Sequence, residues 1–150
     1  MSTWKPERIY SYLGEGFADE VAPAVFPQAI LRYRNDVAVG ATGLACNDDA
    51  FELHFARFNA IDGSLPRPLA LRYHGHQFGQ YNPQLGDGRG FLFAQFTHPD
   101  GRLLDLGTKG SGTTPWSRSG DGRLTLKGGV REILATEMLT ALGVSTSQTW

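Results

Sequence analysis

Three short pieces of this chain carry residue types that handle phosphate. Gly86-Asp87-Gly88-Arg89-Gly90 is a glycine-rich turn, Lys109 supplies an ammonium group, and Gly120-Asp121-Gly122-Arg123 repeats the Gly-Asp-Gly-Arg of the first turn. Backbone N–H groups in such a turn can cradle phosphate oxygens, and a nearby lysine adds a point charge. Each piece also has a plainer explanation. A glycine-rich turn is most often only a turn, and a lysine at a strand end is most often a solvated charge. The phosphate reading gains from spacing, because one hairpin would bring the first two together.

That hairpin can be read residue by residue. Phe91–Thr97 is aromatic-rich and unbroken, as expected of a strand buried on at least one face. His98-Pro99-Asp100-Gly101 favours a type I turn, with Pro second and Gly fourth. Arg102–Thr108 returns as the partner strand. If His98 opposes Gly101, opposed positions sum to 199 and Lys109 falls opposite Gly90. Gly129–Leu142 is the clearest helix, with Val130, Ile133, Leu134, Met138, Leu139 and Leu142 on one stripe and Gly143 as its stop. Glu132 sits near its start. It is either a solvated first-turn carboxylate or a salt-bridge partner of Lys109, the strand-lysine to helix-glutamate device of protein kinases.

The rest of the chain is less regular. Met1–Phe26 reads as loops with a short helical turn. Ala29–Arg34 partly alternates like a strand, and Asn35-Asp36 looks like a turn or helix cap. Asp48–Ala60 suits a helix capped near Asn47 or Asp48. Leu69–Tyr73 reads as a short strand. His74 and His76 could share a metal if they lie on a strand, but no acidic partner follows at the right distance, so hydrogen bonding beside the glycine-rich turn is favoured. Gly110–Arg118 is rich in small and hydroxyl residues and suits close approach of a ligand. Neither a Walker A loop nor a GxGxxG fingerprint occurs. Val144–Trp150 is β-prone, as if cut before or inside a further strand, so a piece of a longer protein is expected.

Composition narrows the class. The chain has 150 residues, 41% of them hydrophobic and 19% charged, which suits one globular domain. A net charge of −1 argues against a general nucleic-acid surface. Of the 14 basic residues 11 are Arg, whose planar fork suits phosphate and carboxylate. The single cysteine, Cys46, excludes an internal disulfide and a multi-cysteine zinc site. No apolar run reaches transmembrane length and Met1–Tyr10 is too polar for a signal peptide, so a cytoplasmic protein without membrane contact is expected.

Several motifs in order then point to a family. Gly75-His76-Gln77-Phe78-Gly79, Asn82–Arg89, Lys109-Gly110, Thr114–Arg118 and Gly120–Arg123 resemble the selenoprotein O family, kinase-like protein adenylyltransferases often called pseudokinases. The resemblance is dense from Tyr73 onward and looser before it. It implies an α+β fold: a protein-kinase-like N-lobe in which a small antiparallel sheet is packed by the Gly129–Leu142 helix. Residues 1–68 would form an N-terminal extension and residues 69–150 the nucleotide-binding region.

The resemblance further implies that ATP binds in a flipped orientation and that AMP passes to Ser, Thr or Tyr hydroxyls of protein substrates. Gly86, Gly88 and Arg89 would contact nucleotide, Lys109 would bind phosphate with Glu132 as its partner, and Asp121 and Gly122 would add contacts. The catalytic aspartate, the ligands for Mg2+ or Mn2+ and the redox-active C-terminal residue would all lie beyond residue 150. These 150 residues alone are therefore expected to be inactive. Many members carry alanine at the position of Gly90, an aliphatic residue at Thr108 and tyrosine at Trp116. Kinase-type transfer of the γ-phosphate and a non-catalytic ATP-sensing module remain alternatives, because both need the same turn, lysine and glutamate.

Overall fold

A computed structural model describes residues 3–150. In chain order its elements are β1 (Pro6–Glu7), a 3-10 turn (Ile9–Tyr12), β2 (Ala18–Glu20), α1 (Asp36–Ala41), α2 (Asp48–Phe55), β3 (Leu69–Leu71), β4 (Gly75–Gln77), β5 (Gln80–Asn82), β6 (Gly90–Thr97), β7 (Leu103–Lys109) and α3 (Leu126–Ala141). The fold is α+β, with a five-stranded antiparallel sheet, a separate two-stranded hairpin and three α-helices.

The large sheet is built around β6. All six residues from Phe91 to Phe96 are buried, which is why the sequence there is apolar at every position but Gln95 instead of alternating. β7 runs along one edge of β6. The other edge is shared end to end by β1, at Phe96 and Gln95, and β3, at Leu92, with β2 outside β3. These short strands from the first twenty residues were not anticipated. A two- or three-residue strand carries no readable period.

The hairpin reaches the expected end by a different route. Gly101 takes φ +88° and its N–H bonds the His98 carbonyl, but the His98 N–H bonds Arg102 and not Gly101. This is a type I turn with a glycine bulge, so pairs near the turn, such as Thr97 with Leu103, sum to 200. A second irregularity between Leu92 and Ala94 leaves Phe93 as the extra residue on β6. Below it the sum returns to 199, and Gly90 pairs with Lys109.

The core forms where α2 and its following loop lay aromatic rings on β6. Asn47 caps α2 by accepting from the Ala50 N–H at 2.9 Å. Phe55 and Phe58 meet Phe93 edge-on at 5.8 and 5.5 Å, and Phe58 also meets Phe91. Phe58 adopts φ +56°, ending the expected helix before residue 60 and turning the ring inward.

α3 begins three residues earlier than expected, because Thr125 accepts the Gly128 N–H and serves as N-cap. At its other end Gly143 (φ +74°) donates to Thr140 and Val144 donates to Leu139, a Schellman stop. Its packing differs from expectation. Leu126, Val130, Leu134, Met138 and Leu142 are 45% to 70% exposed, and Thr136 is the buried residue of this helix. α3 reaches the sheet through Glu132, while α2 covers β6.

Two further expectations are corrected. Residues 29–34 form no strand. Arg34 instead spans from Asp36 to Asp48 and lies over the Phe51 ring, so the segment is held by side chains and joins no ladder. Residues 144–150 are also irregular. They fold back so that Thr149 bonds Thr136 and Trp150 meets Phe55 edge-on.

Candidate functional site

The glycine-rich turn is clamped from two sides. The Gly86 and Asp87 N–H groups donate to the carbonyls of Tyr73 and Leu71, and the Asp87 carboxylate accepts the Leu71 N–H at 3.0 Å. From the other side Thr114 Oγ1 donates to the Asp87 carbonyl and Ser117 Oγ to the Gly88 carbonyl, each at 2.5 Å. In a trans peptide the N–H points opposite its carbonyl. Drawing these two carbonyls toward the 114–117 loop therefore turns the N–H groups of Gly88 and Arg89 the other way. Two successive N–H groups presented together are an anion-binding arrangement. Of the hydroxyls in the 110–118 segment, expected near a ligand, those of Thr114 and Ser117 are spent on orienting this turn, while Ser111 bonds Thr108.

Gly86 is glycine for a packing reason. At φ +48° a Cβ would lie 2.2 Å from Trp116 Cγ. Trp116 is itself fixed, its indole N–H donating to Asp19 at 3.0 Å and its ring lying under the Arg72 guanidinium. Asp19 also binds Arg72 through two further hydrogen bonds. These bonds, Arg72 foremost, hold the Asp19 carboxyl below the ordinary carboxylate range.

An open pocket of about 690 Å³ lies against the turn. Gly86, Gly88, Arg89, Asp121 and Gly122 line it, five of the seven sequence-predicted site residues. The second Gly-Asp-Gly-Arg is brought there by a bridge between Ser111 and Arg123. Gly122 passes so close to the Gly112 carbonyl that a Cβ would overlap it at 2.0 Å. Arg118, Arg123, Tyr73, Gln77 and Trp116 also line the pocket, and the sequence reading assigned none of them a nucleotide contact. The excess of Arg over Lys was the signal available for the two arginines. Burial and the neighbouring Asp87 carboxylate push the Tyr73 phenol upward.

Lys109 and Glu132 do not line this pocket, but they meet each other. Lys109 Nζ donates to Glu132 Oε1 at 2.6 Å, with both side chains about half exposed. The hydrogen bond from Lys109 lowers the Glu132 carboxyl, and the nearby charge of Arg89 acts in the same direction. Arg89 thus both lines the pocket and acts electrostatically on the ion pair. Its carbonyl accepts the Gly110 N–H at 2.7 Å, joining the turn to the residue after Lys109.

The histidines take another role. The rings of His74 and His76 each lie 5.6 Å from the ring of Tyr81. Among the described residues no group of three or more His, Cys, Asp or Glu converges. Asp87 is engaged by Leu71 and Asp121 by the Arg123 N–H, so the carboxylates here do not fit a divalent-cation cage. Among the described residues no helix is long and apolar enough to cross a membrane.

Comparison with known proteins bears on this arrangement. The family model described as protein adenylyltransferase SelO matches residues 2–150. Among curated relatives, a protein nucleotidyltransferase YdiU from Trichormus variabilis is 57% identical over 136 residues, covering 91% of this chain. Its namesake from Synechocystis sp. is 56% identical over 140 residues, and that from Pseudomonas putida 41% identical over 142. The chain spans 28% to 29% of the length of these relatives.

Proposed function

The chain belongs to the SelO family of protein adenylyltransferases, and from that membership we propose that it supplies the nucleotide-binding part of an enzyme that moves AMP from ATP to protein hydroxyls. The observation that carries this reading is the Lys109–Glu132 pair at 2.6 Å, set beside an arginine-lined pocket and joined to it by Arg89. A kinase-like N-lobe accounts for the same placement: lysine at the end of β7, glutamate on α3, glycine-rich turn at the start of β6. In this reading residues 69–150 carry the nucleotide contacts and residues 1–68 brace them, as Asp19 does for Trp116.

The chain's own residues have separable tasks. Arg89 and Lys109 neutralise phosphate charge, with Arg118 and Arg123 also lining the pocket. Gly88 and Arg89 offer backbone N–H groups where a phosphate oxygen would sit. Glu132 accepts from Lys109, which fixes the ammonium head instead of letting it sweep through solvent. Asp121 and Gly122 complete the lining. A divalent cation would stabilise charge developing on the transferred phosphoryl group; its ligands, like the catalytic base, are proposed to lie outside residues 1–150. The chain alone is accordingly proposed to bind ATP without turning it over.

The test uses the full-length protein with Mg2+ or Mn2+, a mixture of candidate protein acceptors, and ATP labelled at either the α- or the γ-phosphate. Covalent label from the α-phosphate alone is the expected result. Label from the γ-phosphate alone would make the protein a kinase. Neither label, with saturable ATP binding, would leave an ATP-sensing module.

A further inference from the structure

The hairpin β4–β5 ends in a feature that neither packing nor the backbone accounts for. Gln77 pairs with Gln80, leaving Phe78-Gly79 as a two-residue turn with φ +54° and +76°. Positive φ at both central positions marks a type I′ turn, whose first position favours Asn, Asp or Gly. A phenylalanine there is strained. Its ring gains nothing in return from burial, being 90% exposed. Strain held without compensating contacts is found where a segment serves a ligand.

The surroundings say which ligand. Gln77, the residue before Phe78, lines the arginine pocket, and Arg118, another lining residue, donates to its side chain at 2.5 Å. At the hairpin's base the Tyr73 carbonyl is held by the Gly86 N–H at 3.0 Å. The hairpin thus stands at the pocket rim, anchored at its foot and on one flank, with its tip unsupported. It forms a sheet of its own, apart from the five-stranded one. Arg89, Arg118 and Arg123 suit the phosphates of a nucleotide, but a base needs flat apolar partners. Trp116 is committed to Gly86, Asp19 and Arg72. That leaves Tyr73 on the pocket wall and the exposed ring of Phe78, next in sequence to the pocket-lining Gln77.

We propose that the β4–β5 hairpin is a lid whose Phe78 ring closes over the pocket and stacks on the nucleobase of the bound nucleotide. The assignment rests on the pocket being the nucleotide site. Stacking tolerates any base, so Phe78 serves affinity for nucleotides over bare polyphosphate and does not read base identity.

The experiment compares ATP with inorganic tripolyphosphate, by calorimetry on the full-length protein and its Phe78→Asn and Phe78→Trp variants. Asn suits the first position of a type I′ turn, so Phe78→Asn removes the ring while easing the backbone, and its melting temperature should equal or exceed that of the wild type. The expected result is about tenfold weaker ATP binding in Phe78→Asn, unchanged tripolyphosphate binding, and near wild-type behaviour in Phe78→Trp. Equal ATP affinity in wild type and Phe78→Asn would overturn the lid, even if transfer to protein fell, since the ring would then serve the protein acceptor. Equal weakening of both ligands would also overturn it, because the hairpin would be shaping the phosphate site. If the wild type bound neither ligand, the assignment of the pocket itself would fall, a result distinct from the other two.

Discussion

Lys109 and Glu132 illustrate a contact whose worth is not stability. An ion pair this exposed contributes only about 0.5 kcal/mol to folding, so Lys109→Ala should leave the melting temperature nearly unchanged. Removing a charge-assisted hydrogen bond to phosphate costs about 1.5–3 kcal/mol, and ATP affinity should therefore fall roughly tenfold or more. Glu132→Gln should act in the same direction, more mildly. Wild-type affinity in the lysine variant would contradict the assignment. The pair also sets a pH dependence. The Glu132 carboxyl is held below its ordinary value of 4.5 by the Lys109 hydrogen bond. Its contribution is therefore full above that value and lost as pH falls through the depressed one. The Glu132 contribution to ATP affinity should therefore stay constant from neutral pH down to about 5, and the ratio of wild-type to Glu132→Gln affinity measured across that range checks this.

At the scale of elements, the pocket depends on a strand that does not line it. Asp19 of β2 holds both Arg72 and the Trp116 indole, and Trp116 in turn closes over Gly86. Asp19→Ala should cost about 2 kcal/mol, read from denaturant unfolding, and shift the tryptophan emission of the native state. Since the Asp19 carboxyl is also depressed, this stabilisation is present above the ordinary carboxylate pKa and lost in acid. Such dependence was not legible in the sequence. The β6–β7 hairpin and the helix at Glu132 were, because an aromatic run, a Pro-Asp-Gly turn and a 3.6-residue stripe are local signals. β1 and β2 were not, because their pairing is decided by distant edges of β6 and β3. β4–β5 escaped notice because its turn carries Phe where Asn would announce a hairpin. Residues 29–34 misled in the opposite way. Their partial alternation belongs to the sequence alone: residues 30–33 are all exposed, and Arg34 holds the segment through Asp36 and Asp48 with no ladder. Arg118 and Arg123 reached the pocket through loops whose course no periodicity foretells.

For the molecule as a whole, the notable surface is the stripe from Leu126 to Leu142 on α3. Beside it lies an apolar groove of about 620 Å³ between α3, α2 and residues 28–33. Exposed apolar area of this extent favours association, and the chain spans less than a third of its relatives. Purified alone, it should self-associate with rising concentration in sedimentation velocity. Leu134→Lys with Met138→Lys should shift it toward monomer without lowering the melting temperature; an unchanged distribution would show that the stripe is not responsible. Chain length is a whole-molecule property too, and the β6–β7 hairpin treats it as a reading frame. The bulge at Gly101 moves the count by one and the bulge at Phe93 moves it back. Because strand side chains alternate faces, a single insertion or deletion in either strand between those two points would, unless a further bulge absorbed it, put Lys109 out of frame, on the face away from Glu132. Changes of two residues stay in frame. The distance from the glycine-rich turn to the lysine is thus free to vary only in even steps or in steps matched by a bulge.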